Sequence, residues 1–382
     1  MSIAMANDFD ICIVGLKCYD LLAGESVPRY LGGIEKVLVS LAKGLAQEEL
    51  KVAFITYDHG QPDAIEIDGV TIFKSFGPDE GLPVVRFVHP RMTKVWSTMR
   101  RVGAKIYLQM GGASETGVVG LGCDLVPGRP SFIFNIASDG DCVPELPFLH
   151  LGREIWLYKQ GLSRADLVIS QTRKQLQLMS ENFSINSTTV PLPVIGPGND
   201  FKPPAPPESG HARVLWMGRI VETKRLEWLF DIAEACPEVS FDVVGTPNEE
   251  SDYANGLMQR GESLINVTMH GRVAEEALPG LFKSASLFCS TSTLEGFPTT
   301  FLEAWSYGVP VVTTFDPDNL VANNRLGSVV TTLQEQIGEI RFLLDSDVAW
   351  KAASQRVRRF YLESFTLKAI AWRYVELIKK LA

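Results

Sequence analysis

Short apolar runs alternate with amphipathic segments along nearly the whole chain. Ten runs have the length of a strand: 10–15, 52–57, 105–110, 131–137, 167–170, 213–218, 240–245, 266–270, 287–290 and 310–314. Several are apolar at consecutive positions, which is typical of parallel strands covered on both faces. The alternation therefore predicts an α/β architecture with parallel sheets.

The segments between the runs show helical periodicity. The strongest helical patterns cover 34–47, 91–102, 150–164, 173–181, 225–236 and 366–382. A proline-rich stretch from Pro191 to Pro207 interrupts the alternation midway, and this composition is typical of a linker. The pattern predicts two doubly wound, Rossmann-like domains facing each other across a cleft, one on each side of this stretch.

Net charge and the length of the apolar runs restrict the functions that the chain could have. The 382 residues carry a net charge of −9, which argues against a nucleic-acid partner as the main function. No apolar run approaches the length that spans a membrane, and residues 1–10 lack the basic start of a signal peptide. A cytoplasmic location is therefore predicted.

Cysteine usage points the same way. The six cysteines are scattered without a CxxC or Cys/His cluster, so they predict buried free thiols in a reducing compartment rather than a metal or redox site. These cysteines are Cys12, Cys18, Cys123, Cys142, Cys236 and Cys289.

The most informative segment runs from Thr291 to Pro310. Two carboxylates, Glu295 and Glu303, flank the predicted start of a helix near Thr299. Glycine is favoured at the position just after a helix, so Gly308 marks the predicted end of this one. Backbone amides at a helix start attract anions. Such a segment can hold phosphate between groups that bind hydroxyls. The alternative is a capping box formed by Thr300 and Glu303.

A second segment supplies cations. Arg219 directly follows Gly218 at the end of a predicted strand, and Lys224 comes just before the next predicted helix. An arginine grips phosphate oxygens through its planar fork, and a lysine adds a point charge. A solvated basic loop is the alternative. It is less favoured, because cations at a helix start oppose the helix dipole unless an anion is bound.

Together these motifs resemble those of retaining glycosyltransferases of family 4, which have the GT-B architecture. The matching segments are 32–35 (Gly-Gly-Ile-Glu), Gly218-Arg219 with Lys224, 270–273 (His-Gly-Arg-Val), and 295–298 (Glu-Gly-Phe-Pro) with Glu303. The resemblance is strong over 212–310 and looser in the N-terminal half. It implies an acceptor-side domain at 1–195, a linker at 196–211, a nucleotide-sugar domain at 212–365, and a helix at 366–382 that crosses back to the first domain.

The resemblance also implies roles. Glu303 would bind the ribose hydroxyls, and Arg219 with Lys224 would hold the diphosphate and stabilise the charge of the leaving group. Glu295 and the amides that follow it would orient the donor sugar, while Arg272 and Val273 would lie at the base. The implied donor-binding set is Gly32, Gly33, Gly218, Arg219, Lys224, Arg272, Val273, Glu295, Gly296, Phe297, Pro298, Thr299, Thr300 and Glu303.

The first domain departs from the family pattern. Family members often carry a His beside an Asp after a central strand, whereas this chain has Ser138 and Asp139 there. The implied catalytic residues are Arg219, Lys224, Glu295 and Asp139. Asp139 and Asp141 also form an Asp-x-Asp triplet, but other such triplets occur elsewhere in the chain. With cations already available as counter-charge, no metal and no cofactor beyond the donor is predicted.

One basic segment, residues 89–101, has apolar residues interleaved with its cations. It has two interpretations: an interfacial helix that touches anionic lipid, or an ordinary helix with Val95, Trp96 and Met99 in the core. The first would make the protein peripheral at the inner face of the membrane. It would also favour a lipid-linked acceptor.

The leading hypothesis is a glycosyltransferase that moves a sugar from a nucleotide-diphosphate sugar to a glycan, lipid-linked or small-molecule acceptor with retention of configuration. Surface polysaccharide or glycoconjugate synthesis is its expected setting. The alternatives are a nucleotide-sugar epimerase of GT-B fold and a non-catalytic subunit that binds nucleotide sugar. The base, the donor sugar, the acceptor and the oligomeric state are left open by the sequence.

Overall fold

The computed structural model describes residues 9–26, 28–30, 32–83, 85–208, 210–247 and 251–381. These residues form two compact units. The first comprises the chain up to Val194 together with the residues from Leu367 onward, and the second comprises Ile195–Thr366.

The first unit is built on an eight-stranded sheet within its described residues. The strands are β1 (Ile11–Val14), β2 (Val52–Thr56), β3 (Ala64–Ile67), β4 (Val70–Lys74), β5 (Ile106–Met110), β6 (Ser131–Asn135), β7 (Leu167–Ser170) and β8 (Ser187–Thr189). Their order is β3-β4-β2-β1-β5-β6-β7-β8, and every pair is parallel except β3 with β4. The carboxyl ends of the parallel strands therefore lie at one edge of the sheet.

Helices cover both faces of this sheet. They are α1 (Tyr19–Leu22), α2 (Gly33–Gln47), α3 (Thr93–Val102), α4 (Ser114–Leu125), α5 (Gly152–Leu162) and α6 (Arg173–Phe183). Side chains from α3, α4 and α5 share one core cluster with alternate residues of β1, β2, β5 and β6, among them Phe134. Asn135 points to the other face, because side chains alternate along a strand.

The second unit has a six-stranded sheet in its described part, and all of its pairs are parallel. Its strands are β9 (Arg213–Met217), β10 (Ser240–Val244), β11 (Val267–Gly271), β12 (Leu287–Ser290), β13 (Val311–Thr313) and β14 (Gly327–Val329), in the order β11-β10-β9-β12-β13-β14. Its helices are α7 (Leu226–Ala235), α8 (Asp252–Ser263), α9 (Leu278–Ser284), α10 (Thr299–Ser306), α11 (Leu320–Asn324), α12 (Leu333–Asp345) and α13 (Asp347–Ser364).

The closing helix α14 (Leu367–Leu381) packs within the first unit. It lies against α2, where Gly44 leaves room for Leu367 and Ala371. The Asn135 amide donates a hydrogen bond of 2.7 Å to the hydroxyl of Tyr374 on α14. This contact places α14 on the opposite face of the sheet from α3, α4 and α5.

All ten strands predicted from apolar runs are present. The β3–β4 hairpin was not predicted, nor were the strands β8 and β14 or the helices α4, α8, α12 and α13. The proline-rich residues 191–207 form no helix and contain no strand of more than a single bridge residue. Part of this stretch is anchored, because the buried Arg358 donates hydrogen bonds to the carbonyls of Pro197 and Gly198.

Candidate functional site

The predicted donor-site residues of the second unit lie at the carboxyl edge of its parallel sheet. Gly218 follows β9, and Thr291 follows β12, which is the neighbour of β9 in the sheet. The loop after β9 carries Arg219 and Lys224, and the loop after β12 carries Glu295. The topology thus brings together the two segments that the sequence analysis singled out.

Lys224 and Glu295 form an ion pair across these loops. Only 18% of the lysine side chain and 16% of the glutamate side chain are exposed. Charges shielded from water interact more strongly than charges on an open surface, so this pair is a strong local restraint. A phosphate arriving beside Lys224 would meet an ammonium group that is already held in place.

Thr291 connects the two loops. Its hydroxyl donates a 2.6 Å hydrogen bond to the carbonyl of Lys224 and accepts one of 3.1 Å from the indole N–H of Trp216. The guanidinium of Arg225 donates to the carbonyl of Thr291 at 2.7 Å and stacks over the ring of Trp228. Sequence reasoning missed Thr291 and Arg225, since a single Thr after a strand and a second cation beside Lys224 have no distinctive pattern.

Arg219 is placed differently from Lys224. It is exposed, and no hydrogen bond or ion pair holds its side chain among the described residues. Its guanidinium is therefore available to an anion. The loop after β9 therefore carries two different cations. Arg219 is exposed, whereas Lys224 is held in place by its ion pair with Glu295.

Helix α10 begins at Thr299, as predicted, and Gly308 adopts a left-handed conformation just after its end. The alternative interpretation, a capping box formed by Thr300 and Glu303, is wrong. The N-cap residue is Pro298, whose extended backbone makes Thr300 the second residue of the helix, and the N-cap side chain makes no capping hydrogen bond. Four consecutive non-proline amides, those of Gly296, Phe297, Thr299 and Thr300, donate no hydrogen bond within the described structure. They suit an anion.

Glu303 lies one turn into α10 and is only partly exposed. The opposite side of the helix is buried and includes Phe301, Leu302 and Trp305, which are fully shielded from solvent. The position of Glu303 is therefore fixed by the packing of α10. Glu295 is thus held by its ion pair with Lys224, and Glu303 is held by the packing of α10. The amides without a partner lie between these two carboxylates in the sequence.

Glycines allow the neighbouring loops to approach closely. Gly245, after β10, has a φ of +141°, and a Cβ there would collide with the carbonyl oxygen of Gly218. The amide of Gly245 donates to the carbonyl of Gly271 at 2.8 Å, and that of Gly218 donates to Val244 at 3.0 Å. The ends of β9, β10 and β11 are therefore tied together at the edge that carries the site.

The predicted base-binding residues follow β11. Gly271 has a φ of +62°, which redirects the chain, and it is followed by exposed Arg272 and partly buried Val273. Beside them, a ring nitrogen of His270 lies 2.7 Å from the buried carboxylate of Asp242, which also accepts two hydrogen bonds from Arg213 at 2.8 and 2.7 Å. Asp242 thus anchors the strand that presents this loop. Its signal in the sequence was weak, because it is a lone acid in an apolar run.

The Asp242 carboxylate gives a pH-dependent prediction. Burial raises its pKa, but the hydrogen bonds and charges of Arg213 and His270 outweigh burial and hold the pKa below its usual value. A depressed folded-state pKa contributes stability that is present above the unfolded-state pKa of about 3.9 and is lost as pH falls. Asp242→Asn should therefore be less stable at neutral pH and should lose less stability on acidification, as measured by urea unfolding at several pH values.

A control for this prediction is Asp231→Asn, because the Asp231 side chain is 37% exposed against 3% for Asp242. The control should keep the acid-induced loss of stability seen in the unchanged protein. An Asp242→Asn variant with an unchanged acid-induced loss would contradict the role given to this carboxylate.

The remaining predicted residues lie in the first unit. Gly32 is the N-cap of α2 and Gly33 is its first residue, and no side chain caps this helix start. Asp139 follows β6 and forms an ion pair of 2.7 Å with Lys174. Asp141 serves a structural purpose, because its carboxylate accepts hydrogen bonds from the amides of Ala137 and Ser138. Burial raises the pKa of Asp141 despite these bonds.

The basic segment 89–101 has its apolar side chains in the protein core. Val95 and Met99 are buried, and the indole N–H of Trp96 donates a 2.7 Å hydrogen bond to the carbonyl of Val118. The core interpretation of these three residues is confirmed. Helix α3 therefore does not offer an apolar face to lipid.

The described residues also show the state of the cysteines, of possible metal ligands and of possible membrane spans. All six cysteines are buried free thiols, as predicted. Among the described residues, no group of three or more His, Cys, Asp or Glu side chains is arranged to hold a metal ion. Within the same residues, no helix is long and apolar enough to cross a membrane.

The family comparison addresses this same region. Residues 211–345 match the family model described as "Glycosyl transferases group 1". The matched residues all lie in the second unit. The match begins just before β9 and ends with α12, so it contains every predicted donor-site residue of this unit.

Curated relatives match about two fifths of the chain. Mannosylfructose-phosphate synthase of Agrobacterium fabrum is 31% identical in an alignment that covers 39% of this chain and 37% of the relative. The GtfA subunit of the UDP-N-acetylglucosamine–peptide N-acetylglucosaminyltransferase of Streptococcus parasanguinis is 26% identical in an alignment that covers 41% of this chain and 32% of the relative. The chain thus aligns with about a third of the length of these relatives.

Solved structures match nearly the whole chain. Sucrose-phosphate synthase from Thermosynechococcus elongatus has a TM-score of 0.78 at 19% identity, covering 97% of this chain and 98% of that one. Anabaena HepE in complex with UDP and glucose has a TM-score of 0.73 at 15% identity, covering 97% and 99%. The chain therefore has the two-domain α/β architecture of the GT-B fold, and the predicted fold class is confirmed.

Proposed function

We propose that this chain is a glycosyltransferase that uses a nucleotide-diphosphate sugar and retains the configuration at the transferred carbon. The observation that carries the proposal is the partly buried Lys224–Glu295 pair beside the start of α10, whose N-cap side chain makes no capping hydrogen bond. A lysine held by a carboxylate, exposed Arg219 and several unpaired amides provide positive charge where a diphosphate would sit. The family match over 211–345 contains these residues and supports this assignment.

We assign each of these groups a role in sugar transfer from its position in the second unit. When the bond between the sugar and the diphosphate breaks, its electron pair goes to the phosphate oxygen, so negative charge grows on the diphosphate. Lys224, Arg219 and the α10 amides would stabilise that charge, and fixed dipoles do so without reorganising. Glu295 would accept hydrogen bonds from hydroxyls of the donor sugar, and Glu303 from the ribose. Arg272 and Val273 would flank the base.

The first unit would bind the acceptor, with Gly32, Gly33 and Asp139 near it. The ion pair with Lys174 orients the carboxylate of Asp139, so we propose a positioning role for it. We also propose that transfer needs no divalent cation, because the side chains and amides named above already supply the counter-charge. Activity that survives exhaustive chelation would support this part of the proposal.

A nucleotide-sugar panel tests the donor assignment. HepE was solved with UDP and with UDP-glucose, so uridine diphosphate sugars are the first donors to test. A donor present at about 100 times its Kd adds about 2.7 kcal/mol of stability, which a thermal-shift assay detects readily. The Glu303→Ala variant should lose most of this thermal shift. The Glu363→Ala variant, changed at an exposed position on α13, should retain it. A panel without any shift would contradict the proposal.

The products separate the candidate functions. A glycosyltransferase transfers the sugar to an acceptor or slowly to water, an epimerase returns an isomerised donor without an acceptor, and a binding subunit does neither. Retention is read from the anomeric proton coupling in the product. The setting that we propose is the synthesis of a surface polysaccharide or glycoconjugate, with a glycan, lipid-linked or small-molecule acceptor.

A further inference from the structure

The first unit carries an exposed apolar surface that the proposed chemistry does not use. Large apolar side chains are exposed in two segments, 82–88 and 148–156, which we call the 82–88/148–156 surface. Leu82 is 72% exposed and Trp156 is 55% exposed. The surface comprises Leu82, Val85, Val88, Phe148, Leu151 and Trp156. Clustered exposure of large apolar side chains is typical of an interaction site.

A direct contact joins the two segments. The guanidinium of Arg153, in the first turn of α5, lies 4.7 Å from the ring centre of Phe87. Arg153 and Trp156 are three residues apart and therefore share one side of α5. The opposite side of α5 buries Tyr158 and Leu162 in the core. The exposed residues thus form the outer side of well-anchored segments.

Unpaired cations lie within this surface, although exposed Asp79 and Glu145 flank its two segments. Lys159 is exposed on the same side of α5 as Trp156 and forms no ion pair within the described residues. Lys94 and Lys105 pair with Glu80 and Asp10, but Arg86 and Arg153 form no ion pair within the described residues. The carboxylate of Glu154 is used locally, where it accepts hydrogen bonds from the amides of His150 and Leu151.

We propose that the 82–88/148–156 surface docks onto a membrane that contains anionic lipid. Exposed aliphatic side chains would enter the boundary between headgroups and acyl chains, and Trp156 would lie at the interface where indoles are favoured. Arg86 and Arg153 would remain at the level of the lipid phosphates. The unpaired cations Arg86, Arg153 and Lys159 favour a lipid phosphate surface over an uncharged apolar partner. This contact replaces helix α3, whose apolar residues are buried, as the lipid-facing part of the protein.

Vesicle co-sedimentation of the full chain at low salt tests this surface. Vesicles of phosphatidylcholine alone are compared with vesicles that also contain phosphatidylglycerol, and binding is expected only to the second. Val88→Asp and Trp156→Ser should each weaken binding by about tenfold, because apolar burial drives interfacial binding. Arg86→Gln should weaken it by about fivefold, since a basic residue near an anionic surface contributes about 1 kcal/mol.

Matched controls are available elsewhere in the chain. Val348 is exposed on α13 of the second unit, and Trp372 is exposed on α14, which covers the opposite face of the first unit's sheet. Val348→Asp and Trp372→Ser should bind vesicles as the unchanged protein does. Circular dichroism and thermal unfolding verify that each variant is folded.

Three results would overturn the proposal. The first is no binding to anionic vesicles at low salt, and the second is an equal loss of binding in the control variants. The third is concentration-dependent self-association that Val88→Asp abolishes without any vesicle binding, which would make the surface a contact between copies of the chain. Donor-induced thermal shifts are measured without lipid, so a failure here leaves the proposed function separately testable.

Discussion

Lys224→Ala is expected to lower the rate of sugar transfer by about 10²- to 10³-fold, the loss typical of removing one preorganised group that stabilises developing negative charge. Lys224 is the fixed cation of the site, because Glu295 and the surrounding loops hold its ammonium group in place. Its loss therefore removes positive charge from the place where we propose that the diphosphate leaves. Steady-state transfer or donor hydrolysis measures the effect, which should appear mainly in kcat.

Stability must be separated from catalysis in this experiment. Removing one partner of a buried ion pair commonly costs about 3–5 kcal/mol, because the other charge is left unpaired. Glu295 is largely shielded from solvent, so Lys224→Ala should be measurably destabilised. Adding Glu295→Gln should recover part of the stability without restoring transfer.

Lys283→Ala provides a matched control, since Lys283 is an exposed lysine in the last turn of α9. This variant should transfer sugar at the rate of the unchanged protein. If the Lys224→Ala and Glu295→Gln double variant regained both stability and activity, Lys224 would be a structural residue and the proposed role would be wrong.

Trp305→Ala should give the largest loss of stability among the substitutions considered. Trp305 is fully buried on α10 and contacts the rings of Phe301, Phe360 and Phe365 at centroid distances of 5.9, 5.7 and 6.3 Å. Truncating a buried tryptophan to alanine typically costs about 3–5 kcal/mol, because contacts are lost and a cavity remains. Equilibrium unfolding in urea measures this loss.

The same substitution should impair donor binding, because Trp305 supports the helix that carries Glu303 and the amides at its start. Trp305→Phe should be milder, since most of the ring packing is kept. Trp372→Ala, at an exposed tryptophan on α14, should change the free energy of unfolding by less than about 0.5 kcal/mol. A Trp305→Ala variant as stable as this control would show that α10 is not held by the aromatic cluster.

The central strands were predictable because fully buried parallel strands are apolar at consecutive positions. β12, with the sequence Leu-Phe-Cys-Ser, is buried at all four positions. The β3–β4 hairpin was missed although its signals are present. Asp68 and Gly69 both have positive φ between two alternating apolar segments, which is the pattern of a tight hairpin turn.

The capping box failed for a local reason. The Thr300 and Glu303 spacing fits a capping box only if Thr300 lies before the first helical residue. Pro298 has a φ of −67° and an extended ψ of 113°, and this geometry starts the helix at Thr299 instead. The carboxylate spacing was thus recognisable from the sequence, whereas the exact N-cap depended on one backbone angle.

Contacts between loops were beyond sequence reasoning. Thr291 bridges to Lys224, and Asp242 bridges to His270, over separations of 67 and 28 residues. Such contacts depend on strand order: the first needs β9 beside β12, and the second needs β10 beside β11. The basic segment shows the same limit. Its charge pattern was visible, but only the packing of Val95 and Met99 showed which side faces the core.

The most direct test of the donor site is the release of nucleoside diphosphate from a panel of nucleotide-diphosphate sugars, with the unchanged protein beside Lys224→Ala and Lys283→Ala. The site described here predicts release from at least one donor, the same rate in Lys283→Ala, and a rate about 10²- to 10³-fold lower in Lys224→Ala. Release from no donor, or release at the full rate by a folded Lys224→Ala protein, would contradict it.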